Sequence, residues 1–191
     1  FTVLDGDSIT VSTEEIFAFY FRVTDEVGNY SFFNSDGAII DKTQVALTVT
    51  PAQDDDSIYG AAGGNTVAIE IAVTEQLGIG DIYSGIKSVE YWIVKDGIAE
   101  DPIKIYTYSI ENPAYDELET EVTDTINISK AQYNSCDVEV FVKAIDNAGN
   151  ETVESVKLDI DNTAPDIKVD YSGKGNKHRT ATITITERSA H

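Results

Sequence analysis

The sequence predicts an all-β chain. Three observations carry that expectation. Apolar and polar residues alternate with a period of two along most of its length. Valine, isoleucine, threonine and tyrosine fill the alternating runs, and Gly, Asn, Asp or Pro stand between them. No segment holds a convincing helical period over about a dozen residues.

The elements follow in order. SITVS at 8–12 is a short alternating run, and FAFYFRV at 17–23 places Phe17, Phe19 and Phe21 on one face. QVALTVT at 44–50 follows the polar triplet DKT, and NTVAIEIAVTE at 65–75 is a long, regular run. In IKSVEYWIV at 86–94, Val89, Tyr91 and Ile93 share one face while Glu90, Trp92 and Val94 share the other. Glu90 belongs in water, so alternation puts Trp92 outside as well. IKIYTYSI at 103–110 and TDTINIS at 123–129 come next, then DVEVFVKAI at 137–145 with Val138, Val140 and Val142 facing inward. TVESVKLDI at 152–160, DIKVDY at 166–171 and TATITITE at 180–187 complete the series.

The pattern repeats. VTDEVGN at 23–29 and AIDNAGN at 144–150 align 121 residues apart, which superposes Asp25 on Asp146, Gly28 on Gly149 and the three phenylalanines on Val138, Val140 and Val142. DKT at 41–43 matches DNT at 161–163 at an offset of 120, and VTE at 73–75 matches ITE at 185–187 at 112. A unit of that length is domain-sized for a β-sandwich. Three segments result: the C-terminal part of one unit at 1–42, a complete unit at 43–162, and the N-terminal part of a third at 163–191. The chain opens at Phe1 directly in strand-like sequence, and reads as a piece of a longer protein.

SGIKSVEYWIVKDG at 84–97, VEVFVKAIDNAGNET at 138–152 and LDIDNTAPDI at 158–167 together resemble bacterial Ig-like repeats. Such repeats occur in tandem in surface proteins, adhesins and secreted glycosidases. The resemblance implies Ig-like β-sandwich modules in an extracellular or cell-surface protein, with neighbouring modules of the same kind as partners. The outward Trp92 departs from antibody-type domains, whose equivalent tryptophan lies in the core.

Charge narrows the function. The chain of 191 residues carries 34 acidic and 13 basic side chains, a net charge of −21. Nucleic acid and anionic membrane surfaces are repelled, no apolar run is long enough for membrane insertion, and divalent cations are attracted. Cys136 stands alone, so neither an intrachain disulfide nor a thiolate cluster forms. Neither of the two histidines, His178 and His191, sits in a nucleophile or metal-protease motif. The expectation is a non-catalytic module.

Strand direction places the Asp146–Asn150 turn at the N-terminal pole of the complete unit, beside the linker and the segment containing Glu75 and Asp81. Asp54 to Ser57 belong to the other pole, near Asp159, Asp161 and Asn162. Carboxylates therefore gather at both junctions, and calcium requires several hard oxygen ligands. DIDNTAP also resembles the calcium-binding linker of cadherins. That resemblance implies Asp161 and Asn162 as ligands at one junction and Asp41 and Asp146 at the other, with Lys42 as a departure. The same residues suit a plain tight turn, in which Asp146 accepts backbone N–H groups and Gly149 takes positive φ, and the turn is the expectation they favour. A second constellation is Trp92 with Tyr106 and Tyr108, which would form an outward aromatic patch for glycan or a host surface protein, or a cluster covered by a neighbouring loop. The expected role is a spacer or stalk that presents an adhesive or catalytic domain; the alternative is a ligand-binding module.

Overall fold

The structure is a computed structural model that describes residues 8–52, 58–109, 117–134, 136–173, 175 and 179–187. Among these residues there are fifteen β-strands and no α-helix. The first four are β1 (Glu15–Phe17), β2 (Tyr20–Thr24), β3 (Tyr30–Asn34) and β4 (Ala38–Ile40). The central set is β5 (Ala46–Pro51), β6 (Ile58–Tyr59), β7 (Thr66–Thr74), β8 (Ile86–Lys95), β9 (Ile98–Ala99), β10 (Ile103–Thr107), β11 (Glu121–Ser129), β12 (Asp137–Asp146) and β13 (Glu151–Ile160). The last two are β14 (Asp166–Ser172) and β15 (Thr180–Thr186).

The central strands form a β-sandwich. One sheet has the order β10-β8-β12-β13-β6 with β9 attached to β8, and the other has the order β11-β7-β5. All pairs are antiparallel except β13 with β6. Along β12, every second residue is buried, as period-two patterning requires of a strand with one face on a core. Val138, Val140, Val142 and Ala144 meet Val67, Ile69, Ile71 and Val73 of β7 in the shared core, which Leu47, Ile126, Val156 and Leu158 extend. Lys130 is also buried, and its ammonium donates to the carbonyls of Gly60 and Ala62 at 2.8 Å each. Those bonds supply the partners that a buried cation needs and tie down the β6–β7 connection.

The flanking residues repeat the central pairings. β14 pairs with β15 in the register Asp166↔Thr186 and Ile167↔Ile185, as β5 pairs with β7 in the register Ala46↔Thr74 and Leu47↔Val73. Residues 15–40 correspond to the β12–β13 hairpin, but each arm is split. β2 pairs with β3, β1 pairs with β4, and Ser35 bridges the gap by donating its N–H to the Phe19 carbonyl while its hydroxyl accepts the Phe19 N–H. The expected strand at 17–23 is thus interrupted at 18–19. Residues 8–12 are not a strand, because a strand needs a ladder partner and no described strand pairs with them.

Candidate metal centre

Asp146 ends β12 and organises the turn to β13. Its Oδ1 accepts the Asn150 N–H at 2.8 Å and its Oδ2 accepts the Asn150 side-chain N–H at 2.7 Å, while Gly149 adopts φ +93°. The Asp25 turn reproduces this: Oδ1 accepts the Asn29 N–H at 2.8 Å, Oδ2 accepts the Asn29 amide at 2.8 Å, and Gly28 has the same φ. These bonds make the turn self-supporting in both places.

The surroundings differ. Asn150 also donates to the carbonyls of Asp41 and Thr43 at 3.2 Å each, which draws the linker across the turn. Asp41 is thereby buried, its Oδ1 accepting the Thr43 N–H at 2.9 Å. Glu75, just beyond β7, is held through its backbone N–H on the Thr120 carbonyl at 2.9 Å. One carboxylate oxygen from each of Asp41, Glu75 and Asp146 lies within 4.8 Å of the others. Relative exposures are 5%, 8% and 0%.

This cluster is short of partners. Asp41 Oδ2 and both Glu75 oxygens are buried with no hydrogen bond. The Gly85 and Gln76 N–H groups lie near enough to Glu75 to ease its ionisation slightly, without meeting hydrogen-bond geometry. Burial, reinforced by the charges of Asp146 and Asp41, pushes the Glu75 carboxyl up to about 7. Burial also raises Asp146, against the lowering effect of its Asn150 bonds. Asp25, which is exposed, moves the other way because Asn29 donates to its ionised form. Three carboxylates in one buried spot are costly unless they are protonated or neutralised. Oxygen-only donors suit a hard cation such as calcium rather than a thiophilic metal. Lys42 does not fill the role, since its ammonium donates to the Ser12 carbonyl.

Asp161 and Asn162 belong to the next linker and lie apart from this cluster. Asp161 Oδ1 accepts the Thr163 N–H at 2.9 Å, matching Asp41 and Thr43, and the Asn162 N–H goes to Asn134 Oδ1 at 2.6 Å. Asp54 to Ser57 lie outside the described residues. Glu75 is the member of this cluster that sequence reasoning placed at the right pole but did not assign; its recurrence as Glu187 in the VTE and ITE triplets was the available signal.

The outward aromatic residues are rearranged relative to expectation. Trp92 faces away from the core and stacks on Phe141 across the β8–β12 pair, with centroids 5.3 Å apart and planes at 6°. Tyr106 does not join it. An irregularity between Lys104 and Tyr106 shifts the register, so Tyr106 opposes Val89 and packs against the core. The Tyr108 hydroxyl donates to the Glu117 carbonyl at 2.6 Å. A different aromatic row exists: Phe17, Phe19, Phe21 and Phe33 run in sequence with centroids 5.1, 6.0 and 6.3 Å apart, the first three half-buried and Phe33 65% exposed.

No protein-family model matches the chain, and no curated protein sequence matches it.

Proposed function

We propose that the chain is a run of Ig-like modules acting as a non-catalytic spacer in a secreted or cell-surface protein, with calcium seated where one module meets the next. The observation that carries this reading is the buried Asp41–Glu75–Asp146 cluster, whose three unpartnered oxygens sit where the linker crosses the β12–β13 turn. Asp41 of the linker, Glu75 at the end of β7 and Asp146 of the turn would hold the cation, whose charge would neutralise their carboxylates and so stiffen the junction. Ligand-bound stability follows mass action. Calcium at about 100 times its dissociation constant should therefore raise the stability of the central sandwich by about 2.7 kcal/mol. Calorimetry after EDTA treatment and then calcium addition checks this, with Asp146→Asn as the variant that should lose the response. An unchanged melting temperature in the unsubstituted protein would sink the metal reading.

A second reading, ligand binding, has more direct support from the surface than the spacer role has. The Phe17–Phe19–Phe21–Phe33 row offers a run of rings that suits stacking on sugar rings or on an apolar protein surface. Titration with a polysaccharide panel, comparing the unsubstituted protein with Phe33→Ser, tests it. The expected result is saturable binding weakened at least about tenfold by the substitution.

A further inference from the structure

Glu14 and Asn134 stand 120 residues apart, the same offset as Thr43 and Thr163, and both grip the linker that follows them. Glu14 Oε1 accepts the Thr43 hydroxyl at 2.8 Å and lies 3.4 Å from the Lys42 N–H. Asn134 Oδ1 accepts the Asn162 N–H at 2.6 Å, and its amide donates to the Thr163 hydroxyl at 2.9 Å. The contacts are equivalent although a carboxylate has replaced an amide. With the amide the threonine oxygen accepts, and with the carboxylate its hydroxyl donates.

The sandwich after the linker also takes part in the first of these contacts. A Cβ built on Gly78, in the β7–β8 connection, would lie 1.9 Å from Glu14 Oε1 and 2.7 Å from the Thr43 hydroxyl oxygen. Only a glycine leaves room there for the carboxylate. The Glu14 carboxyl is held below the usual range, chiefly by the Thr43 bond, with the Ile79 N–H contributing. One side chain thus spans the segment before the linker, the linker and the loop after it.

We infer that Glu14 and Asn134 are latches, one per linker, that fix the angle between successive modules without metal. This rests on the tandem-module reading proposed above, but it goes beyond the calcium reading and does not depend on it. The first latch touches that site only through Thr43, whose N–H is bound to Asp41.

The test is a spin-label distance measurement on the full chain in EDTA, with Cys136→Ser and labels at exposed Glu26 and Glu154. Glu14→Ala should lower the ratio of clamped to open joints about tenfold, the scale of losing a charge-assisted hydrogen bond, and so broaden the distance distribution. Gly78→Ala should do the same by displacing the carboxylate, while leaving every latch atom present. Across the second linker, with labels at Glu121 and Thr184, Asn134→Ala should broaden the distribution and Asn134→Asp should retain it, since a carboxylate does this work at the first linker. Unchanged widths in both Glu14→Ala and Gly78→Ala would overturn the latch, and equal broadening by the two Asn134 variants would overturn its repetition. A protein that binds no calcium yet shows these changes defeats the cation reading alone.

Discussion

Glu75 is the residue on which the electrostatics turn. In the metal-free protein its folded carboxyl keeps a proton up to about 7, whereas an unperturbed glutamate releases it near 4.5. The folded pKa is raised, so the ionised form is the one that folding penalises. Below pH 4.5 the group is neutral in both states and costs nothing. From 4.5 to about 7 the unfolded chain binds fewer protons than the folded one, and stability falls as pH rises, by about 3 kcal/mol in total. Asp146, also raised, acts with the same sign. Glu75→Gln should flatten this slope and raise the metal-free melting temperature at pH 8 by about 10 °C, measured by thermal scans in EDTA between pH 4.5 and 8. The same variant should lose any calcium response. Asp41 and Asp146 were legible in the sequence because each sits in a repeated motif. Glu75 was harder to read, because its role depends on an approach between two loops that no local pattern encodes.

At the scale of elements, the Asp146–Asn150 turn shows what patterning captures. Gly149 at φ +93° occupies a conformation that a side chain resists, and a Cβ there would meet no other atom within 4 Å. Gly149→Ala should therefore cost about 1–2 kcal/mol through backbone strain alone, visible in urea unfolding as a lower midpoint at unchanged slope. β7 and β12 were readable from alternation, since each keeps a single phase from end to end, and β13 keeps it from Val156 to Ile160. β10 was not, because the shift between Lys104 and Tyr106 reverses which side chains face the core. Two-residue strands such as β6 and β9 have no period to detect. Their existence depends on the partners they meet, β13 and β8.

For the whole molecule, charge and repetition are what the sequence declares most openly. A net charge of −21 draws divalent cations to the entire surface, but that attraction fades with salt over a Debye length of about 8 Å at physiological ionic strength. A buried cluster is screened far less. The calcium-dependent rise in melting temperature should accordingly survive about 150 mM sodium chloride, whereas a diffuse surface effect should vanish in the same scans. The topology has a mechanical side. The chain enters the central sandwich along β5 at the pole of the Asp146 turn and leaves along β13 at the opposite one. Tension applied between the two linkers runs along both strands, so it loads the β5–β7 and β12–β13 ladders in shear, with many hydrogen bonds strained at once rather than unzipped one by one. The parallel β6–β13 pair adds a short brace at the exit end. A sandwich built this way resists pulling through its geometry, with or without an ion.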